Sequence, residues 1–171
     1  MDEFTRLLLA ARDGDRPALA SAIRSSQAEV WRLCAHLVDS EEADDLTQET
    51  YLRAFRALPA FRGESSGRTW LLSIARKTCM DALRRRTRRR RAMSRVDVPD
   101  IDADTSAAHA LERLVSDLDP DRREAFVLTQ LLGCSYAEAA ESCGVPIGTI
   151  RSRVARARAD LLQCLRDAEA V

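Results

Sequence analysis

The 171-residue sequence predicts an all-α protein made of two small helical domains joined by a flexible acidic linker. Helix-forming residues dominate and no segment alternates apolar and polar side chains, so strands are not expected. At residues 94–107 the apolar periodicity stops, and four aspartates and Pro99 appear, which is typical of a linker. We therefore predict one domain at residues 1–93 and a second at residues 108–171.

The first domain opens with signals for three helices. A short helix is expected to end at Gly14, and Asp15 to cap the next one, whose first turn tolerates Pro17. Asp39 and Glu42 stand three residues apart, as in a capping box, and predict that a third helix begins there.

A loop and a fourth helix complete this domain. Glycines and serines cluster at residues 61–69, which predicts a loop. The helix expected from Trp70 carries its core residues on one face and leads directly into a run of arginines; the core residues are Leu71, Ile74, Ala75, Thr78 and Ala82.

The second domain ends in a pattern typical of a helix-turn-helix. Asp119 and Pro120 are expected to start a helix that Gly133 stops. A short helix at residues 136–142 is followed by Gly144, which suits a tight turn, and by Pro146, which suits the start of a helix. Apolar residues then recur every three or four positions and predict the buried stripe of the last helix: Ile150, Val154, Ala157, Leu161 and Leu165.

The formal net charge is zero, but the charges are segregated along the chain. Residues 39–50 hold six acids and no base, residues 62–95 hold twelve bases and two acids, and residues 147–158 hold four arginines and no acid. Two basic blocks suggest two surfaces for a polyanion such as DNA, because neutralised phosphates release counterions. An arginine run is otherwise a solvated helix end, and only its combination with a motif favours DNA.

Several classes of protein are disfavoured. No apolar run is long enough to cross a bilayer, and five widely spaced cysteines without a CxxC pair favour reduced thiols in the cytoplasm over a disulfide framework. Neither Cys34 with His36 nor His109 has metal ligands or a nucleophile nearby in sequence. We therefore expect no metal, no cofactor and no enzymatic activity, and an enzyme is the weakest hypothesis.

The last helix has a face suited to DNA. At 100° per residue, Thr149, Ser152, Arg153 and Arg156 lie together, away from the predicted buried stripe. Arginine binds guanine in bidentate fashion in the major groove, and serine, threonine and a helix N-terminus suit phosphates. An arginine-rich surface helix in an all-α bundle is the alternative for this segment taken alone.

Three blocks in order resemble one family. ADDLTQETYLRAFRALPAFRGE at residues 43–64, RTWLLSIARKTCMDALRRR at residues 68–86 and LLGCSYAEAAESCGVPIGTIRSRVARARADL at residues 131–161 are similar to bacterial RNA polymerase sigma factors of the extracytoplasmic-function type, within the sigma-70 family. The resemblance implies a transcription initiation factor that binds core RNA polymerase, through the coiled coil of the largest subunit and the flap. It also implies recognition of promoter DNA as a duplex and as a melted single strand, and it admits an anti-sigma factor as a further partner.

The resemblance also implies three sets of functional residues. The set for core polymerase is Asp44, Asp45, Gln48, Glu49, Arg53 and Arg56. The set for the downstream promoter element is Phe61, Arg62, Arg68, Trp70, Arg76, Lys77 and Arg84. The set for the upstream promoter element is Pro146, Gly148, Thr149, Arg151, Ser152, Arg153 and Arg156.

Each set has a plainer alternative or a departure from the family. The acidic block alone also fits a solvated helix face, and the aromatic and aliphatic members of the downstream set also fit the core. The family usually has an aromatic residue where this chain has Gly67, and often an asparagine where it has Lys77. No downstream promoter sequence is therefore predicted.

Two other functions compete with the sigma-factor interpretation. A conventional helix-turn-helix regulator would bind duplex DNA alone, usually as a dimer, but the first two blocks resemble neither a receiver nor a sensor domain. A helical adaptor would use the arginine run to bind RNA or an acidic partner. Such an adaptor would tolerate the loss of Arg153 and Arg156, whereas a sigma factor would initiate less well at promoters with an intact upstream element.

Overall fold

The computed structural model describes residues 1–92 and 113–169, and every regular element in these two ranges is helical, as predicted. Residues 113–116 form one helical turn before Pro120, whereas the predicted linker at residues 94–107 lies outside the described residues. The helices are α1 Glu3–Arg12, α2 Arg16–Leu37, α3 Ala43–Ala57, α4 Gly67–Ala92, α5 Pro120–Phe126, α6 Tyr136–Cys143 and α7 Ile147–Glu169.

Side-chain caps begin the helices at most of the predicted places. Asp15 accepts a hydrogen bond from the backbone N–H of Ala18 at 2.9 Å and so starts α2. Asp119 caps α5, as predicted, and Ser135 with Glu138 forms a complete capping box at α6. These local bonds satisfy N–H groups that a helix end leaves without a partner.

Two predicted helix starts are wrong by a few residues. The carboxylate of Asp39 does accept from the backbone N–H of Glu42 at 2.8 Å, but this bond closes a turn, and α3 begins only at Ala43. The predicted loop at residues 61–69 ends earlier, because α4 begins at Gly67. Ser66 stands just before α4 and caps it, because its hydroxyl oxygen accepts from the backbone N–H of Thr69 at 3.0 Å. The glycines and serines around Ser66 predicted a loop and gave no sign of this cap.

Gly67 lets α1 lie directly against the start of α4. Its backbone N–H donates to the hydroxyl of Thr5 at 2.8 Å. A Cβ atom at this position would stand 2.8 Å from Cδ1 of Leu8 and 3.1 Å from the backbone Cα of Thr5. The absence of a side chain at Gly67 is therefore a packing requirement.

Gly67→Ala is expected to lower the free energy of unfolding by about 1–3 kcal/mol, because an added methyl group must push α1 away from α4. Urea denaturation measures the loss. Gly148→Ala is the matched control, because a Cβ atom at that helical glycine meets nothing within 4 Å. We expect the control to gain up to about 1 kcal/mol from helix propensity. Equal stability of the two variants would contradict the packing argument.

The segment after α5 departs from the expected single helix. α5 ends at Phe126, and Val127–Leu131 form a π-helical turn in which the backbone N–H of Leu132 donates to the carbonyl of Val127 at 3.0 Å. Gly133 then adopts a φ of +67° and stops the element, as predicted.

Both predicted domains contribute to one continuous core. Leu33 and Leu72 of the first domain and Leu128 and Ile150 of the second are buried in the same apolar cluster. Burial of such side chains favours contact between the domains by about 25 cal/mol for each Å² of apolar surface removed from water. The predicted buried stripe of α7 is shorter than expected, because Leu161 is only half-buried and Leu165 is exposed.

Candidate DNA-binding and polymerase-binding surfaces

The helix-turn-helix is built as its sequence predicts. The turn between α6 and α7 lies at Gly144, which adopts the left-handed conformation with φ of +66°. Ala140 is buried in α6, and its carbonyl accepts from the backbone N–H of Val145 at 3.1 Å. The carbonyl of Pro146 accepts from the backbone N–H of Thr149 at 2.9 Å and closes the first turn of α7.

One side of α7 is buried and the opposite side is open. Ile150, Val154 and Ala157 are buried against the rest of the second domain. The members of the predicted upstream set that are exposed are Pro146, Gly148, Arg151, Ser152 and Arg156, while Thr149 is half-buried. This face is therefore free to enter a groove of DNA.

Arg153 differs from the other arginines of this face. Its guanidinium forms an ion pair with the carboxylate of Asp121 in α5, and the side chain is only 20% exposed. Arg158, on the flank, donates to the side-chain oxygen of Gln130 at 2.5 Å. Within the described residues, no side-chain hydrogen bond or ion pair holds Arg156, so the arginines of α7 are not equivalent.

The aromatic members of the downstream set form part of a small core. Phe61 is buried with Leu8, Ala22 and Leu58, and its ring centroid lies 4.8 Å from that of Trp70. Trp70 and Ile74 are half-buried. In this arrangement Phe61 is covered by α1 and does not offer an open wall for a base.

Two arginines of the downstream set join the two domains. Arg68 donates to Oε1 of Glu29 at 3.0 Å and to the carbonyl of Leu132 at 2.6 Å, so it bridges α2 and the segment after the π-helical turn. Arg76 of α4 forms an ion pair with Glu124 of α5, whose side chain is almost fully buried. The arrangement holds the first and second domains together and occupies both guanidinium groups.

The pKa of each of these arginines is raised. The hydrogen bond with Glu29 raises the pKa of Arg68 despite partial burial. Burial lowers the pKa of Arg76, but the charge and hydrogen bond of Glu124 more than offset this effect. Both groups therefore stay charged, and each depends on the carboxylate of its partner.

The other cations of the downstream set lie at the surface. Arg62 pairs with Glu64 at 3.0 Å in the loop, with both side chains largely exposed. Lys77 is exposed on α4, and Nη1 of Arg84 lies 3.6 Å from Oδ1 of Asp81. Such exposed pairs contribute at most about 1 kcal/mol, so these cations are available to a phosphate.

The predicted polymerase-binding set lies on α3. Asp44, Asp45, Gln48 and Arg56 are exposed, and Glu49 is half-buried. Arg53 instead links Glu49 to Asp81 of α4 with two bonds of 2.8 Å. These carboxylates raise the pKa of Arg53, and Arg53 in turn lowers the pKa of Asp81. Arg53 thus contributes to the junction between α3 and α4 as well as to this set.

Three exposed apolar residues lie beside this set, and the sequence did not lead us to include them in it. Trp31 on α2 and Leu52 and Phe55 on α3 are each at least a third exposed. A helical wheel of α3 places Leu52 beside Gln48 and could have found it. Only the packing of α2 on α3 brings Trp31 next to Asp44.

Residues 1–92 and 113–169 contain no cluster of histidine, cysteine or acidic side chains that could hold a metal ion. No helix in these ranges is both long and apolar enough to span a bilayer.

Comparisons with known proteins agree with this geometry. The Sigma-70 region 2 family matches residues 22–89, and the Sigma-70, region 4 family matches residues 108–161. The chain is 50% identical to the ECF RNA polymerase sigma factor SigC of Mycobacterium tuberculosis over 168 residues, covering 94% of this chain and 90% of that protein. It is 32% identical to the ECF RNA polymerase sigma-E factor of Haemophilus influenzae, with 86% and 87% coverage.

Solved structures show the same fold. The sigma factor RpoE of Bartonella quintana, in complex with the anti-sigma factor NepR, matches with a TM-score of 0.75 and 27% identity over 86% of this chain and 96% of that one. CnrH, in complex with the cytosolic domain of CnrY, matches with a TM-score of 0.75 and 25% identity over 98% and 99% of the two chains. The chain therefore belongs to the extracytoplasmic-function sigma factors of the sigma-70 family, which direct RNA polymerase to promoters.

Proposed function

We propose that the exposed face of α7 reads the upstream promoter element while the first domain acts on the downstream element. The observation that carries this proposal is the division of α7 into a buried stripe and an open arginine face. Of the two arginines that share a side of α7 with Ser152, Arg153 is held by Asp121 whereas Arg156 is exposed, so we assign Arg156 the main contact with a base. Exposed Ser152 and Arg151 suit neighbouring phosphates.

The downstream element requires the two domains to separate. Arg76 cannot reach a single strand while it binds Glu124 of the second domain, and Arg68 is held in part by the carbonyl of Leu132 in that domain. The described arrangement is therefore the closed form, and binding of core polymerase and promoter is proposed to open it. In the open form, Arg76 is released from Glu124 and joins exposed Lys77 and Arg84 as a cation for the melted strand, while Arg68 loses its bond to Leu132 and keeps its pair with Glu29.

The remaining assignments concern partners and chemistry. We assign the open face of α3 to the coiled coil of the largest polymerase subunit, because exposed acids suit a basic helical partner. We further propose that the protein makes and breaks no covalent bonds and acts in the cytoplasm, where core polymerase is found. Since the structural neighbour RpoE was solved in complex with the anti-sigma factor NepR, we also propose that an anti-sigma factor binds this chain.

The test is transcription with sigma-free core polymerase, the purified protein and fragmented genomic DNA, followed by sequencing of the RNA 5′ ends. We expect specific starts that share two spaced upstream motifs. Footprinting of duplex DNA by the protein alone, with no specific starts and no core binding, would instead favour a conventional regulator. A core enzyme mixed with an unrelated helical protein of similar charge is the control for nonspecific starts.

A further inference from the structure

Trp31 is an exposed aromatic side chain with a defined orientation. It lies on α2, is 36% exposed, and its indole N–H donates to Oδ1 of Asp44 at 2.8 Å. This bond spans from α2 to the first turn of α3, so the ring is held against the start of the acidic helix. A large aromatic group that is fixed before binding loses little conformational entropy when a partner covers it.

The neighbouring face of α3 continues this surface. Gln48 and Leu52 follow Asp44 at successive intervals of four residues, so they line one side of the helix over about 12 Å. Leu52 is 50% exposed, and Asp45 stands beside the line. In the described residues, the carboxylates of Asp44 and Asp45 have no ion-pair partner. Apolar groups thus stand at both ends of a polar strip that carries uncompensated negative charge.

We infer that Trp31 is itself a contact residue for core RNA polymerase and, with Leu52, forms the apolar part of the docking surface. The inference rests on the proposed function of α3 and adds a residue from a different helix to it. The occupant is a helical segment of core polymerase with basic side chains opposite Asp44 and Asp45 and an apolar side chain opposite Trp31. Charge complementarity and continuity with the proposed α3 surface support this occupant, and tryptophan is enriched among residues that dominate binding energy.

The experiment measures competition for core polymerase in the absence of DNA. Cys164 is exposed and the other four cysteines are buried, so a maleimide fluorophore marks Cys164 of the wild-type protein. Fluorescence anisotropy then reports binding of the labelled protein to core polymerase. Unlabelled variants compete with it, and their thermal unfolding is measured separately.

Trp31→Ala is expected to compete about tenfold less well than the wild type at a temperature at which both proteins remain folded. Trp31→Phe should recover part of the affinity, because it keeps an apolar ring without the indole N–H. Arg32→Ala is the matched control: Arg32 is the next exposed side chain on α2, it donates to the carbonyl of Ala28 within the same helix, and its removal should not change competition.

Three outcomes would overturn the inference. If Trp31→Ala competes as well as the wild-type protein, the ring does not contact polymerase. If competition falls by the same amount in Trp31→Ala, Trp31→Phe and Asp44→Ala, the indole serves only to position Asp44. Loss of self-association in sedimentation, with competition unchanged, assigns the surface to a second copy of this chain. Failure of the wild-type protein to bind core polymerase would instead reject the proposed function from which the inference starts.

Discussion

Replacing Glu124 by alanine is expected to lower the free energy of unfolding by about 3 kcal/mol and to separate the two domains. The Glu124 side chain is almost fully buried between the domains and pairs with Arg76. Its removal leaves a guanidinium in a partly buried site without its charge partner, which is among the more costly single changes in a protein. Chemical denaturation measures the stability, and small-angle X-ray scattering measures the radius of gyration, which should increase.

Two controls separate this effect from simple loss of charge. The double variant Arg76→Met with Glu124→Leu replaces the pair with apolar groups of similar size and should remain closed and nearly as stable as the wild type. Asp160→Ala breaks the pair of Asp160 with Arg122, whose side chains are each about a third exposed, and should cost less than 1 kcal/mol. A Glu124→Ala variant with wild-type stability and scattering would show that this pair does not hold the domains together.

Arg156→Ala is expected to reduce transcription about tenfold from a promoter with an intact upstream element. Arg156 is exposed on the open face of α7, and loss of one bidentate contact with a base costs about 1–3 kcal/mol. On a promoter whose upstream element has been scrambled, the same variant should lose little, because no specific contact remains to be lost. Multiple-round transcription with reconstituted polymerase measures both templates side by side.

Arg166→Ala is the matched control, since it removes an exposed arginine from the last turn of the same helix and should affect both templates alike. Arg153→Ala should have a smaller specific effect than Arg156→Ala, because Arg153 must first leave its pair with Asp121. Equal losses on the intact and scrambled promoters would reject the assignment of Arg156 to the upstream element. They would leave a general electrostatic role for it.

Local signals in the sequence were enough for most of the helices and for the helix-turn-helix. Asp15, Asp119 and Gly144 act on residues within one turn of themselves, so their roles can be predicted from short-range order. The same holds for the buried stripe of α7 as far as Ala157. Beyond it, Leu161 and Leu165 keep the helical interval, but burial requires a neighbouring element, and periodicity alone cannot show where the neighbour ends.

The candidate site was less predictable, because an arginine that joins two packed helices and an arginine on a DNA-binding face look the same in a basic block of sequence. Arg68 and Arg76 lie in a basic block, yet their partners Glu29 and Glu124 are 39 and 48 residues away. Gly67 is a similar case: the resemblance indicates a missing aromatic residue, but only the contact with Thr5 and Leu8 explains why a side chain is excluded.

By itself, the sequence determined the all-helical class, the order of the helices, the helix-turn-helix and the family, because each depends on local periodicity, capping or ordered motifs. Tertiary structure alone decided which charged and aromatic residues are available to a partner. Trp31 becomes part of the α3 surface, and Arg76 becomes a bridge between domains, through contacts between residues distant in the chain. Such contacts depend on how amphipathic helices bury their apolar faces together, and no short segment of sequence contains that information.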